Sequence, residues 1–295
     1  MRILLLGNTG QLGWELERTL APLGEVIATD YPALNLAEAD GTRALVRGAG
    51  RVDVIVNATA HTLVDKAENE PDKSLSWAIN ASGPGLLAEE ARALGAALIH
   101  YSTDYVFDGA KGSPYVETDA TNPLNVYGHS KLAGEQAVAA AGGAYLTLRT
   151  TWVYSTRRSS FVTKVLEWAR QQTTLKVVAD QISGPTSARM LAEITAQLLA
   201  KAGSDPAGWI GERRGLYHLA GDGYCSRLEW AQEVLHLDPK KQEQTVREIL
   251  PALTNDFPTP AARPLFSALD CAKFTQTFCL KLPAWQSALR LAMES

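Results

Sequence analysis

Residues 1–150 alternate short apolar runs with longer amphipathic stretches, and this alternation constrains the fold more than any other feature. The runs are rich in Val, Ile and Leu, as strands covered on both faces are. They are Arg2–Leu6, Glu25–Thr29, Asp53–Asn57, Ala97–Tyr101 and Tyr145–Arg149. The helix-like stretches are Gln11–Leu20, Leu36–Gly48, Pro71–Ala93 and Tyr127–Ala141. The pattern predicts an α/β fold with a doubly wound parallel sheet and right-handed crossovers.

The alternation ends near Thr150, and the rest of the chain mixes helices, short strands and a proline-rich segment. Helices are predicted over Phe161–Gln171 and Ala188–Lys201, and strands over Leu175–Ala179 and Leu216–Leu219. Ser226 is a predicted N-cap, Pro283 a predicted first helical residue, and Pro251–Pro264 a predicted irregular loop. We therefore expect a sheet domain over 1–150 and a smaller portion over 151–295, with some later segments returning to the sheet.

The charge balance and the cysteines exclude several classes of protein. A formal net charge of −4 and a pI near 5.8 give no reason to expect nucleic acid or a membrane as partner. Three cysteines, with no C-x-x-C pair, do not suggest a disulfide framework or a metal site. The first apolar run is too short for a signal segment. With free thiols, these features favour the cytoplasm.

A glycine loop follows the first predicted strand. Gly7, Gly10 and Gly13 lie in ILLLGNTGQLGWEL, between that strand and the first helix. In this context the glycines allow a tight turn, a close approach of backbone to pyrophosphate and close helix–strand packing, while the helix N-terminus attracts phosphate. The loop predicts a dinucleotide-binding domain over 1–150.

Asp30 follows the second predicted strand, 17 residues after Gly13. A carboxylate there can accept hydrogen bonds from the adenosine ribose hydroxyls and repels a 2′-phosphate. This position alone favours NADH over NADPH.

Three further residues indicate the chemistry. Tyr127 and Lys131 lie four residues apart at the start of a predicted helix, so both side chains share one face. A phenol titrates near ~10, and a neighbouring ammonium stabilises the phenolate that remains after proton donation. Thr103, after the fourth strand, can hydrogen-bond the same oxygen. The set predicts proton transfer to a developing alkoxide, with Tyr127 as the donor.

Six segments together resemble the dTDP-4-dehydrorhamnose reductases, a branch of the extended short-chain dehydrogenases. They are GNTGQLGWEL, VIVNATAHTLVDKAE, HYSTDYVFDG, NPLNVYGHSKLAGE, LRTTWVY and FPTPAARP. The resemblance implies reduction of the 4-keto group of dTDP-4-dehydro-β-L-rhamnose by NADPH or NADH, the last step of dTDP-L-rhamnose synthesis.

The resemblance also implies residue roles. The proton donor falls on Tyr127, its partner on Lys131 and the helper hydroxyl on Thr103. The implied cofactor contacts are Gly10, Gln11, Leu12, Asp30, Asn35, Leu36, Ala60, His61 and Thr62. Asp104 and Trp152 would face the sugar, and Arg263 is the candidate for pairing with the substrate diphosphate. Some family members form magnesium-bridged dimers, but Arg189 and Met190 stand where an acidic residue is needed, so no metal site is expected; a monomer and a homodimer both remain open.

Alternatives from the same superfamily remain. A dTDP-sugar dehydratase needs a second acid after Asp104, where this chain has Tyr105. A 4-epimerase, or a reductase of another dTDP-4-keto sugar, is excluded less sharply. A non-catalytic NADP-binding regulatory subunit, like the methionine adenosyltransferase beta subunit, is disfavoured because Thr103, Tyr127 and Lys131 are all present.

Overall fold

Twelve strands occur in the computed structural model, which describes residues 1–294. In chain order they are β1 Arg2–Leu6, β2 Glu25–Thr29, β3 Val54–Asn57, β4 Ala97–Thr103, β5 Ala144–Thr150, β6 Val153–Tyr154, β7 Thr174–Val178, β8 Ile182–Ser183, β9 Thr186–Ser187, β10 Gly215–His218, β11 Cys225–Ser226 and β12 Glu248–Ala252. Six of these form one parallel sheet in the order β10-β5-β4-β3-β1-β2. The predicted parallel α/β sheet is confirmed.

The helices cover this sheet and build the second half of the chain. They are α1 Gln11–Leu20, α2 Ala39–Gly48, α3 Asp72–Trp77, α4 Gly83–Leu94, α5 Val126–Ala141, α6 Phe161–Gln171, α7 Ala188–Ala202, α8 Pro206–Glu212, α9 Arg227–His236, α10 Ala272–Phe278 and α11 Trp285–Met293. No helix among residues 1–294 is long and apolar enough to cross a bilayer.

The order of the strands places a crevice beside β1. The chain runs from β1 to β2 on one side and then returns to β3 on the other side of β1. At such a reversal the connections leave a crevice at the carboxyl ends of the strands, where ligands bind in open α/β sheets. The glycine loop follows β1, so it borders this crevice.

Both faces of the sheet are buried, which explains the near-continuous apolar runs. Ile3 and Leu5 of β1 belong to a core with helices α1 and α7, whereas Leu4 and Leu6 point into a second core with α2 and α4. This alternation follows the two-residue period of a strand. A third core joins α6, α9 and α11 in the second half of the chain.

The structure departs from the predicted elements at three places. Pro251 and Ala252, expected in an irregular loop, belong to strand β12, which pairs with β7. The stretch Pro71–Ala93 was expected to be one helix, but a π-helical turn, Ala78–Ser82, separates α3 from α4. Pro84 lies at the start of α4 and has no N–H to donate. The missing backbone hydrogen bond favours a break in the helix at this point. The prediction for Pro283 is also wrong, because α11 begins at Trp285 with Ala284 as its N-cap.

Candidate active site

The glycine loop is shaped by two close approaches that a side chain would prevent. Gly7 has φ of +88°, a region that L side chains rarely adopt. A Cβ on Gly13 would lie 1.9 Å from the carbonyl oxygen of Gly7. Both glycines therefore hold the start of α1 against the end of β1. This brings the free N–H groups of the helix N-terminus to the crevice.

Asp30 is fixed to the glycine loop. Its Oδ2 accepts hydrogen bonds from the backbone N–H and the hydroxyl of Thr9, at 3.0 and 2.5 Å. Its Oδ1 accepts from the backbone N–H of Tyr31 at 2.7 Å. The carboxylate is thus positioned by the loop that it neighbours.

A cavity of about 510 Å³, the edge cavity, opens beside Asp30. Its lining residues are Gly7, Thr9, Gly10, Asp30, Tyr31, Leu34, Asn35, Leu36, Ala58, Thr59, Ala60, Leu75 and Ile79. Asp30 is the only charged residue among these described residues, so the edge cavity offers no cation to a phosphate.

A second cavity of about 630 Å³, the central cavity, shares a wall with the first at Gly10 and residues 58–60. It is lined by Gly10, Gln11, Leu12, Ala58, Thr59, Ala60, Thr62, Tyr101, Ser102, Thr103, Asp104, Tyr127, Lys131, Thr150, Thr151, Trp152, Val153, Arg158 and Ser159. The structure therefore brings Thr103, Tyr127 and Lys131 to one cavity that continues past the glycine loop into the edge cavity.

Tyr127 lies in the first turn of α5. The helix is capped by Asn125, whose side-chain oxygen accepts from the backbone N–H of Gly128 at 2.8 Å. Burial raises the pKa of Tyr127 far above its usual range, while the Thr103 side chain opposes this rise by hydrogen bonding. The phenol is therefore protonated at neutral pH, which is the form that can donate a proton.

Lys131 is almost fully buried one turn later. Its Nζ donates to the backbone carbonyl oxygen of Tyr101 at 2.6 Å and lies 3.4 Å from Nε2 of His100. Burial lowers the pKa of Lys131 to about 8, and the nearby Glu135 opposes this. The amine therefore titrates close to neutral pH.

Asp104 is a buried carboxylate surrounded by hydroxyl groups. Its Oδ2 accepts from Ser267 at 2.5 Å and from Ser183 at 3.3 Å, and its Oδ1 accepts from Thr103 at 3.1 Å. Burial raises the pKa of Asp104, and the hydrogen bonds from Ser267 and Thr103 counteract part of the rise. Asp104 thereby connects the wall of the central cavity to the carboxyl-terminal half of the chain.

Trp152 has a strained backbone. Its φ is +41°, which is unusual for a bulky residue, and it lines the central cavity. The guanidinium of Arg227 lies 3.6 Å above its ring, and Trp230 stacks nearly parallel at a centroid distance of 5.5 Å. Strain of this kind persists where packing imposes it, and it concentrates at functional sites.

Arg227 opens onto a third cavity of about 480 Å³, the carboxyl-terminal cavity. This cavity is lined by Phe161, Trp168, Gln172, Leu175, Lys176, Val177, Val178, Gln181, Arg227, Thr254, Phe257, Thr259 and Arg263. Burial lowers the pKa of Arg227 to about 10, so it stays charged at neutral pH. Among residues 1–294 no carboxylate lies within salt-bridge distance of it. A half-buried cation without such a partner favours an anionic ligand.

Known proteins similar to this chain share its full length. The family model described as RmlD substrate binding domain matches residues 1–295. The dTDP-4-dehydrorhamnose reductase of Escherichia coli strain K12 is 43% identical, covering 98% of this chain and 96% of the relative. The chain belongs to the dTDP-4-dehydrorhamnose reductase family.

Solved structures of the reductase family have the same fold. A dTDP-4-dehydrorhamnose reductase from Clostridium acetobutylicum superposes with a TM-score of 0.88 at 33% identity, covering 100% of this chain and 99% of that one. The reductase from Bacillus anthracis, solved in complex with NADP, gives a TM-score of 0.88 at 30% identity and the same coverage.

Two residues predicted from the reductase family are held by a carboxylate, and one of them, His61, lines neither the central nor the edge cavity. The His61 imidazole is buried and contacts Asp72 at 2.9 Å. Arg263 reaches the carboxyl-terminal cavity, but it is paired with Asp65 at 2.7 Å. Arg227, which the sequence analysis did not single out, lines the same cavity as Arg263. The only local signal for Arg227 was its place directly after the predicted N-cap Ser226.

Two buried oxygen atoms at the central cavity lack partners among the described residues. These are Oε1 of Gln11 and Oγ1 of Thr150. Buried polar atoms are normally hydrogen-bonded. Orphaned atoms on the wall of a cavity therefore fit a polar ligand, as expected of a cofactor site in this reductase family.

Proposed function

We propose that this chain reduces the 4-keto group of dTDP-4-dehydro-β-L-rhamnose to give dTDP-L-rhamnose, with NADH or NADPH as reductant. The observation that carries the proposal is the shared cavity of Thr103, Tyr127 and Lys131, which runs past the glycine loop. The relatives named dTDP-4-dehydrorhamnose reductase support the same activity. Three free thiols support the cytoplasm as its compartment.

The residues present fit a dinucleotide. The pyrophosphate would lie at the N-terminus of α1, against Gly10, Gln11 and Leu12. The adenosine would occupy the edge cavity, and the nicotinamide the central cavity, where Ala60 and Thr62 line one wall. When bound, the cofactor supplies the hydride.

The protein supplies the proton. Tyr127 would donate its phenolic proton to the substrate oxygen as negative charge develops there, and Thr103 would hydrogen-bond that oxygen. The Lys131 ammonium would stabilise the resulting phenolate and bind the nicotinamide ribose hydroxyls. Asp104 and Trp152 would hold the sugar in place within the central cavity.

The nucleotide end of the substrate would occupy the carboxyl-terminal cavity. Its diphosphate would lie beside Arg227, with Arg263 as a second cation, because planar guanidinium groups pair well with phosphate oxygens. Aromatic side chains at Phe161, Trp168 and Phe257 would contact the base.

An assay of cofactor oxidation tests the proposed function. The purified chain is mixed with NADH and an enzymatically prepared dTDP-4-keto sugar, and the product is identified. One NADH oxidised per molecule of dTDP-L-rhamnose supports the proposal. Turnover without net oxidation of NADH would indicate an epimerase, and cofactor binding without turnover would indicate a regulatory subunit.

Arg227→Leu should raise the KM for the dTDP-sugar by about 10- to 100-fold, the range expected for loss of a charged hydrogen bond. The Kd for NADH should stay within about twofold because the edge cavity is elsewhere. Arg290→Leu, which removes an exposed arginine of α11, is the matched control. Arg227→Lys should recover part of the loss. An unchanged KM in Arg227→Leu would restrict Arg227 to packing against Trp152.

Asp30→Asn should shift cofactor preference toward NADPH. The amide oxygen can keep the Thr9 hydrogen bonds, while the repulsion of a 2′-phosphate is removed. We expect the NADPH-to-NADH ratio of kcat/KM to rise about fivefold to a hundredfold, less at high salt. Asp40→Asn makes the same charge change on an exposed residue of α2. An equal shift in both variants would contradict a local role of Asp30.

A further inference from the structure

Two buried polar residues, Asn57 and His100, lie next to Lys131 but outside the lining of the central cavity. Asn57 ends β3 and His100 lies on the adjacent strand β4, and both are 0% exposed. Neither residue lines the central cavity. The proposed proton transfer does not use them, yet His100 is in direct contact with the amine of Lys131.

The orientation of the Asn57 amide is determined by Thr59. The backbone N–H of Thr59 donates to Oδ1 of Asn57 at 3.1 Å, and the Thr59 hydroxyl lies 2.6 Å from the same atom. A backbone N–H can only donate, so the atom that it contacts must be the carbonyl oxygen. The amide nitrogen of Asn57 therefore points toward His100, at 3.1 Å from Nδ1.

This orientation selects one tautomer of His100. Nδ1 must accept the hydrogen bond from the Asn57 amide, so it carries no proton. A neutral imidazole then carries its proton on Nε2, which is the atom 3.4 Å from Nζ of Lys131. Burial and the nearby Lys131 hold the pKa of His100 well below its usual range, which agrees with a neutral ring.

An N–H directed at Lys131 favours one protonation state of the amine. The neutral amine has a lone pair that can accept from Nε2, whereas the ammonium has only hydrogens to present to it. We propose that Asn57 and His100 are positioning residues that stabilise the neutral amine of Lys131 and thereby set the pH at which the Tyr127/Lys131 pair works. The role in turnover rests on the proposed function.

Besides His100, the charged group that acts on Lys131 is Glu135, and burial opposes it. On α5, Glu135 favours the ammonium, and its own charge is compensated by Arg149 of β5. Tyr127 is protonated and neutral, and Asp104 follows β4 at the far wall of the cavity. His100 is thus the group whose contact opposes Glu135 directly.

This balance would matter after each proton donation. Tyr127 is left as a phenolate, and the Lys131 ammonium can return a proton to it, which makes the amine neutral. The Nε2 proton of His100 would then hydrogen-bond the amine until solvent restores the ammonium. No electron is moved in this step, and one proton enters from water per turnover.

The pH dependence of NADH affinity tests the proposal without any sugar substrate. In the wild type, affinity should fall as pH rises through the pKa of Lys131, because the ammonium binds the ribose. His100→Phe keeps the site buried and removes the Nε2 proton. The pH at which affinity begins to fall, here called the break, should move upward by about half a pH unit to one pH unit, the size expected from the loss of one hydrogen bond. His129→Phe changes an exposed histidine of α5, the helix that carries Lys131, and should leave the break in place.

Asn57→Asp provides a second test that keeps the His100 ring, and an unmoved break in this variant alone would also overturn the proposal. A carboxylate would still accept from Thr59, but it would also accept from His100, and Nε2 would then accept from the ammonium. The break should move further upward than in His100→Phe. The double variant Asn57→Asp/His100→Phe has the added charge but no imidazole, so it separates the tautomer change from the effect of the charge.

An unmoved break in folded His100→Phe, or an Asn57→Asp shift that the double variant reproduces fully, would overturn the proposal and leave the proposed reductase function intact. Failure of the wild type to bind either NADH or NADPH would overturn both.

Discussion

Tyr127→Phe should lower the rate of NADH-dependent reduction by about 10²- to 10⁴-fold, the range typical of losing a positioned general acid. Phenylalanine can keep the edge-to-face contact with Tyr105, whose ring centroid is 5.8 Å away. The protein should therefore stay folded, and the Kd for NADH should change little. Steady-state kinetics together with a fluorescence titration of NADH separate these two effects.

Tyr217→Phe is the matched control for this variant. It also removes one phenolic hydroxyl, which donates to the carbonyl oxygen of Arg213 at 2.7 Å on the opposite side of the sheet from α5. Its rate should remain near that of the wild type. If Tyr127→Phe kept more than about a tenth of the wild-type rate, another group would have to donate the proton.

The parallel sheet could be predicted because its strands are covered on both faces. Arg2–Leu6 has the predicted bounds, since double-sided burial leaves a continuous apolar run in the sequence. Glu25–Thr29 also has the predicted bounds, although it is a half-buried strand at the edge of the sheet. The break at Ala78–Ser82 was missed because the surrounding residues keep a helical pattern. Its position depends on a tertiary contact: a Cβ on Gly134 would lie 2.1 Å from the carbonyl oxygen of Asn80.

The candidate site was predictable where it depends on local spacing. Tyr127 and Lys131 share a helix face by their four-residue separation. Thr103 ends β4, and the helix that follows a parallel strand begins at the carboxyl edge of the sheet, which brings Thr103 near them. Arg227 has no such signal, since it contacts Trp152 from a position 75 residues further along the sequence. The pairing of Arg263 with Asp65 likewise joins segments that are distant in the sequence.

The buried ion pair between Arg149 of β5 and Glu135 of α5 should make the sheet domain sensitive to the loss of either partner alone. The guanidinium donates to both carboxylate oxygens at 2.9 and 2.7 Å, and Ser102 donates to the same carboxylate at 2.5 Å. Removing one partner leaves the other charge buried and unpaired. Arg149→Met should therefore lower the free energy of unfolding by about 3–5 kcal/mol, measured by urea denaturation.

A second variant distinguishes loss of the attraction between Arg149 and Glu135 from the cost of leaving one charge buried and unpaired. Arg149→Met combined with Glu135→Leu removes both charges, and apolar replacement of a whole buried pair is often close to neutral. The double variant should recover most of the lost stability. Arg189→Met breaks an exposed pair with Glu193, in which the arginine side chain is 61% exposed, and should cost less than about 1 kcal/mol. A comparably small loss in Arg149→Met would mean that Glu135 is protonated or reached by water once its partner is gone.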